Sequence, residues 1–154
     1  MNAQLQTTPA AEQYFKVLAD GARLPASDPR TDHVAVLDTR LNLEFLVNSI
    51  GISGKAARDV RDLKPVVEQL DILGGGWRIA DVDEATSIIR RDRYSPAVDQ
   101  NLFPGIQPAW HVTSTPAAWA PARAAWWVYF YGGDVFDYGT DGGGVALAVR
   151  PAGQ

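Results

Sequence analysis

The 154-residue chain predicts a mixed α+β domain, and three stretches carry that prediction. "AAWWVYFYGGDVFDYG" (residues 124–139) reads as a β-hairpin of alternating side chains about a Gly-Gly turn. "WRIADVDEATSIIRR" (residues 77–91) opens a helix through Asp81 and Glu84, which have the spacing of a capping box. Between Lys55 and Leu70, the apolar residues Ala56, Val60, Leu63, Val67 and Leu70 recur at intervals of 4, 3, 4 and 3, the period of an amphipathic helix.

Taken in order, Thr8 and Pro9 predict a short helix through Ala19, with Thr8 as N-cap and Gly21 past its end. "ARLPASDPRTD" (residues 22–32) is rich in proline and turn formers and reads as a linker or docking arm, so residues 1–32 are set apart from a domain at 33–154. "HVAVLD" and "LEFLV" are two strands, and "NSIGISG" is a turn. Pro65 kinks or splits the first helix because it lacks an N–H and crowds the preceding turn. In the second helix Val82, Ala85, Ile88 and Ile89 form the apolar face, and Arg90 and Arg91 lie at the end that favours cations. A long loop over residues 92–108 follows, anchored by Tyr94, Val98, Leu102 and Phe103. The strand "WHVTST", the hairpin and the strand "VALAVR" complete the chain, and no segment repeats.

Composition narrows the function. The net charge of −4 argues against a nucleic-acid binder, and no basic stripe is present. With no cysteine, disulfides and thiolate metal sites are excluded. Residues 1–30 lack a signal-peptide pattern, and no segment reaches the roughly 18 apolar residues of a membrane-spanning helix. No membrane insertion is expected. Neither His33 nor His111 has a spacing partner for a metal, and the calcium spacing of an EF-hand is absent around Asp134, Asp137 and Asp141. No nucleophile elbow is present, and no cofactor is expected. Charge is also uneven: residues 52–95 carry eight basic and eight acidic side chains, whereas residues 110–154 carry two basic and three acidic ones.

The hairpin poses the functional question. A two-residue Gly132-Gly133 turn pairs Tyr131 with Asp134, Tyr129 with Phe136 and Trp127 with Tyr138. One face then holds Trp126, Val128, Phe130, Val135 and Asp137, and the other holds Trp127, Tyr129, Tyr131, Phe136 and Tyr138. The second face is either covered by another layer of the same chain or exposed as a binding or oligomer surface. Trp119, Arg123 and Asp141, in the flanking loops, are candidates for a binding rim.

The ordered set "GGGWRIADVDEATSII", "RYSPAVDQNLFPG", "TSTP", "AWWVYFYGGDV" and "VALAVRP" resembles the C-terminal domain of collagen-like bacterial adhesins. The likeness runs from about Val34 to Arg150, with Val112 at a position where the family pattern has Trp and Ala148 where Cys is common. The resemblance implies a C-type-lectin-like fold: two helices flanking a twisted, mainly antiparallel sheet, with long loops for binding. Its W-x-V-x-F pattern implies that Trp126, Val128 and Phe130 are core, with Trp77 buried and Arg78 paired to a carboxylate.

The expectation is a non-enzymatic, surface-displayed attachment module. The absent leader pattern favours a phage virion surface over a bacterial exterior, with the arm docking to other virion proteins. A glycan or host surface is the expected ligand, and self-association as a dimer or trimer is expected. The alternative is a structural decoration protein whose aromatic face is a subunit interface. A hydrolase on the same scaffold is a third reading.

Overall fold

The computed structural model describes residues 12–153 and forms two sheets with two short helices. In chain order the elements are β1 (Tyr14–Val17), β2 (Arg23–Pro25), β3 (Ala35–Asp38), β4 (Leu43–Leu46), α1 (Leu63–Glu68), β5 (Arg78–Ile79) and α2 (Val82–Thr86). They continue as β6 (Trp110–Pro116), β7 (Ala124–Tyr129), β8 (Asp134–Gly139), β9 (Val145–Ala146) and β10 (Ala148–Pro151). One sheet has the order β2-β1-β3-β4-β10-β5 and is antiparallel throughout. The other has the order β8-β7-β6-β9, in which only β6 and β9 run parallel. The α+β class is therefore correct, with sheet predominating.

The first departure from expectation lies near the N-terminus. Residues 1–11 fall outside the described segment, but Tyr14–Val17, expected in a helix, is a strand. Together with β2 it forms a hairpin that pairs through β1 onto β3. Tertiary pairing overrides the cap signals here, because Phe15 and Val17 fall opposite Leu37 and Ala35 in register. Lys16 is fully buried and donates to the carbonyls of Asp28 and Arg30 and to Asn101 Oδ1, fastening residues 28–30 to the loop at 101.

The first helix is shorter than its periodicity suggests. Its expected opening turn is used for pairing: Lys55 bridges to Ile52 and Ala57 to Gly144. A 3-10 turn at Val60–Asp62 leads into α1, and Pro65 sits within the first turn of α1, where its missing N–H is not needed. The second helix stops at Thr86. Ser87 Oγ donates to the Glu84 carbonyl at 2.6 Å, and the Arg90 N–H leaves for the Ala97 carbonyl at 2.7 Å. Arg90 and Arg91 thus lie beyond it; Arg90 pairs with Asp92, and Arg91 donates to the Gly133 carbonyl. The N-terminal signal is borne out in full. Asp81 accepts from the Glu84 N–H at 2.7 Å, Glu84 accepts from the Asp81 N–H at 2.9 Å, and Glu84 holds Arg78 through two bonds of 2.7 Å.

The core has two parts because the sheets are covered on more than one face. One cluster packs Val36, Phe45 and Val149 against Val128, Phe130, Ala85, Ile88, Leu102 and Phe103. The second joins Ala35, Leu37 and Leu46 to Val60, Leu63, Val67, Trp77, Val112 and Trp127. Tyr94, expected as a buried loop anchor, is instead 73% exposed, while Val98, Leu102 and Phe103 are buried.

Candidate functional site

The hairpin folds with a longer turn than two glycines. Observed partners are Tyr129 with Asp134, Trp127 with Phe136 and Ala125 with Tyr138. The carbonyls of Phe130 and Tyr131 leave the ladder and accept from the N–H groups of Ala97 and Ser95, each at 2.7 Å. The turn therefore spans residues 130–133 and closes on a Gly133 N–H to Tyr129 carbonyl bond of 2.8 Å. Gly133 has φ +92, and a Cβ there would meet Ile89 at 2.9 Å, so the second glycine is required by both backbone and space. The changed pairing leaves the division into faces intact, because the register shifts by two residues, one full period of side-chain alternation.

What covers each face differs from expectation. Val128 and Phe130 are fully buried, as the W-x-V-x-F pattern implies, but Trp126 is only partly buried. On the other face Trp127, expected among the outward aromatics, is 2% exposed and packs in the second cluster near Val60 and Leu63. That assignment is corrected: Trp127 lies against the backbone at Gly144 and within the cluster that holds Val60 of the 3-10 turn, which closes this end of the face. The rest stays open, with Tyr131 46%, Phe136 54% and Tyr138 66% exposed and Tyr129 partly buried.

The open part is an ordered row of rings. Trp110 on β6 stacks on Tyr129 at 4.4 Å between centroids and 7° between planes. Tyr129 in turn stacks near Tyr131 at 5.8 Å, and Tyr131 meets Tyr94 edge-on at 6.1 Å. At the other end Phe136 tilts against Trp110 at 5.7 Å, and Tyr138 sits edge-on to Trp127 at 6.3 Å. Trp110, Trp127, Phe136, Tyr138 and the backbone of Gly142-Gly143 line a groove of about 360 Å³. Asp137 also borders it, but its side chain leaves the opposite face of β8, where its carboxylate accepts from Trp119 Nε1.

Sequence reasoning missed Trp110. Its parity in "WHVTST" puts it on the side of Val112, but only the antiparallel register of β6 with β7 sets it beside Tyr129. The proposed rim residues lie elsewhere. Trp119, Arg123 and Asp141 gather around a second hollow with Arg61 and Thr140, apart from the aromatic groove. Trp119 is 68% exposed. Thr113 and Thr115 are used internally: Thr113 donates to the Trp126 carbonyl, and Thr115 accepts from the Val82 N–H.

Each histidine bonds a backbone carbonyl. His111 is buried, with Nδ1 bonded to the Ala109 carbonyl at 2.8 Å and Nε2 to Ser49 Oγ at 2.7 Å. Burial pushes its pKa down to about 4. His33 is held by the Leu102 carbonyl at 2.7 Å, and burial lowers its pKa as well. Among the described residues no three His, Cys, Asp or Glu side chains gather around a cation position, and no helix is long and apolar enough to cross a membrane.

Together these features define an antiparallel-rich α+β domain with an aromatic surface groove. Residues 35–150 match the Lcl C-terminal domain, and the chain belongs to that family. This is the collagen-like-adhesin domain that the ordered motifs resemble, and it suggests a bacterial surface module of adhesin type. No curated protein and no solved structure matches the chain.

Proposed function

We propose that the domain is a non-enzymatic attachment module with a C-type-lectin-like fold, displayed on a virion or bacterial exterior, and that it touches its target through the aromatic groove. The observation that carries this reading is the exposure of Phe136 and Tyr138 beside Trp110. Large aromatics left open on a domain that buries so many others mark a contact surface. Membership in the adhesin-domain family supports the same reading. The non-enzymatic part is supported by the two histidines, each engaged inside the fold: His33 bonds the Leu102 carbonyl in the loop, and His111 on β6 bonds Ser49.

The test is retention on host cells. Cells or cell-wall preparations should retain the wild-type domain and release the Phe136→Asp/Tyr138→Asp double variant. Equal retention of the two would overturn the role of this face. The second reading, a decoration subunit joined to its copies through the same face, is favoured by the joint exposure of Tyr131, Phe136 and Tyr138 on one side of the hairpin. Light scattering of wild type and Tyr131→Asp decides it: an oligomer that falls to monomer supports this reading, and an unchanged mass rules it out.

A further inference from the structure

We infer that residues 26–33 form an acid-released strap, held over β1 by Lys16, Asn101 and His33 and freed when His33 gains a proton. The stretch whose prolines read as an arm has almost no backbone ladder of its own. Pro25 and Pro29 lack an N–H, and no residue from 26 to 34 lies in a strand or helix. Side chains fasten it instead. Asn101 Nδ2 donates to the Ala26 carbonyl at 3.0 Å, Lys16 to the carbonyls of Asp28 and Arg30, and His33 Nε2 to the Leu102 carbonyl at 2.7 Å. A carbonyl only accepts, so Nε2 carries the ring proton and Nδ1 is left as a bare acceptor. That Nδ1 is the one buried side-chain polar atom without a partner among the described residues.

A second proton on this ring has no place inside the fold. It creates a charged N–H at Nδ1 with no acceptor, in a residue only 3% exposed. The charged groups that face His33 are Lys16 from β1, which opposes the proton, and Asp32 from the segment itself, which favours it. Lys16 is fully buried on three neutral oxygens, and among the described residues no carboxylate bonds it to offset its charge. Asp32 is 63% exposed and engaged by Arg30, which weakens its pull. The other acids of the neighbouring elements are committed elsewhere. Asp99 accepts from the Asn101 N–H, Asp38 from the N–H groups of Arg40 and Leu41, and Glu44 from Arg150. Burial, with Lys16 adding to it, holds the His33 pKa below 6.5 in the closed state. Turning the ring out to water removes the penalty and breaks only the side-chain ties of a segment that no sheet retains. Opening therefore takes up one proton and bares the Lys16 ammonium with it.

The experiment follows the full chain by amide hydrogen exchange, corrected for intrinsic rates, from neutral pH down through the histidine range, beside an NMR titration of the His33 ring. Uptake of one proton makes opening grow by up to about tenfold per pH unit below 6.5. The amides of Asp28 and Arg30, bonded in the closed form, should lose protection on that slope, while Phe45 and Leu46 on β4 keep theirs. His33→Gln retains a donor for the Leu102 carbonyl but cannot titrate, so exchange of the segment should stay flat. Asn101→Asp sets a carboxylate beside Lys16 and should shrink the rise. Exchange that ignores pH in wild type, or rises equally in His33→Gln, overturns the strap. So does a rise shared by β4, which is acid unfolding of the whole domain. If His33→Gln does not fold, the wild-type NMR midpoint of His33 decides. A depressed midpoint together with the rise in exchange supports the strap, and an ordinary one near 6.5 sinks it.

Discussion

Arg150 on β10 and Glu44 on β4 stand directly opposite each other and form an ion pair of 2.7 Å, with both side chains only 6% exposed. The guanidinium also lies 4.7 Å from the Trp77 ring centre and donates to the carbonyls of Leu73 and Gly75. One side chain thus ties the last strand, the fourth strand and the glycine run before β5. The two partners are unequal, since Arg150 has other acceptors and Glu44 depends on Arg150. Arg150→Met should destabilise the domain by about 3–5 kcal/mol, because it leaves a buried carboxylate without its cation. Glu44→Gln should cost less, about 1–3 kcal/mol. Urea denaturation of the two variants checks the order, and a larger loss for Glu44→Gln would contradict it.

Trp127 and Phe136 are cross-strand neighbours with opposite roles. Trp127 is 2% exposed and Phe136 54%. Trp127→Ala should cost about 3–5 kcal/mol through the cavity it leaves. Phe136→Ala should change stability by about 0.5 kcal/mol or less. Thermal melts of the two variants separate the floor of the groove from its wall.

His111 should make the fold acid-sensitive. Its pKa falls from 6.5 to about 4 on burial, so the unfolded chain takes up the proton first as pH drops. The stability it contributes is therefore full above pH 6.5, is lost progressively towards pH 4, and does not change further below that. His111→Gln should flatten part of the slope of unfolding free energy between those limits. The remaining slope belongs to His33 and to carboxylates such as Glu84, which Arg78 holds below its ordinary pKa.

The cap of α2 should be felt locally. Asp81→Ala removes the acceptor for the Glu84 N–H and should cost about 1 kcal/mol. Hydrogen exchange should rise first at Glu84 and Ala85. Protection unchanged at both amides would show that Arg78 and Thr115 hold the turn without the cap.

Much of this protein is determined by short-range chemistry that the sequence states openly. The Asp81–Glu84 box, the strands at 35–38 and 43–46, the hairpin at 124–139 and its two-faced alternation all depend on neighbours a few residues apart. So does the family likeness, which is an order of local motifs. Other features were decided only by the tertiary structure, where distant backbone groups compete with local ones. Ala57 pairs with Gly144 and so shortens α1, and Lys16 and its strand are drawn onto β3. The carbonyls of Phe130 and Tyr131 turn to residues 95–97 and lengthen the hairpin turn. The same competition made the groove. Alternation puts Trp127, Phe136 and Tyr138 on one face, but only the packing of distant segments around Val60 and Gly144 buries the first, and only the pairing of β6 brings Trp110 beside the others. Covering a sheet face is a property of whole layers, and no stretch of sequence contains it.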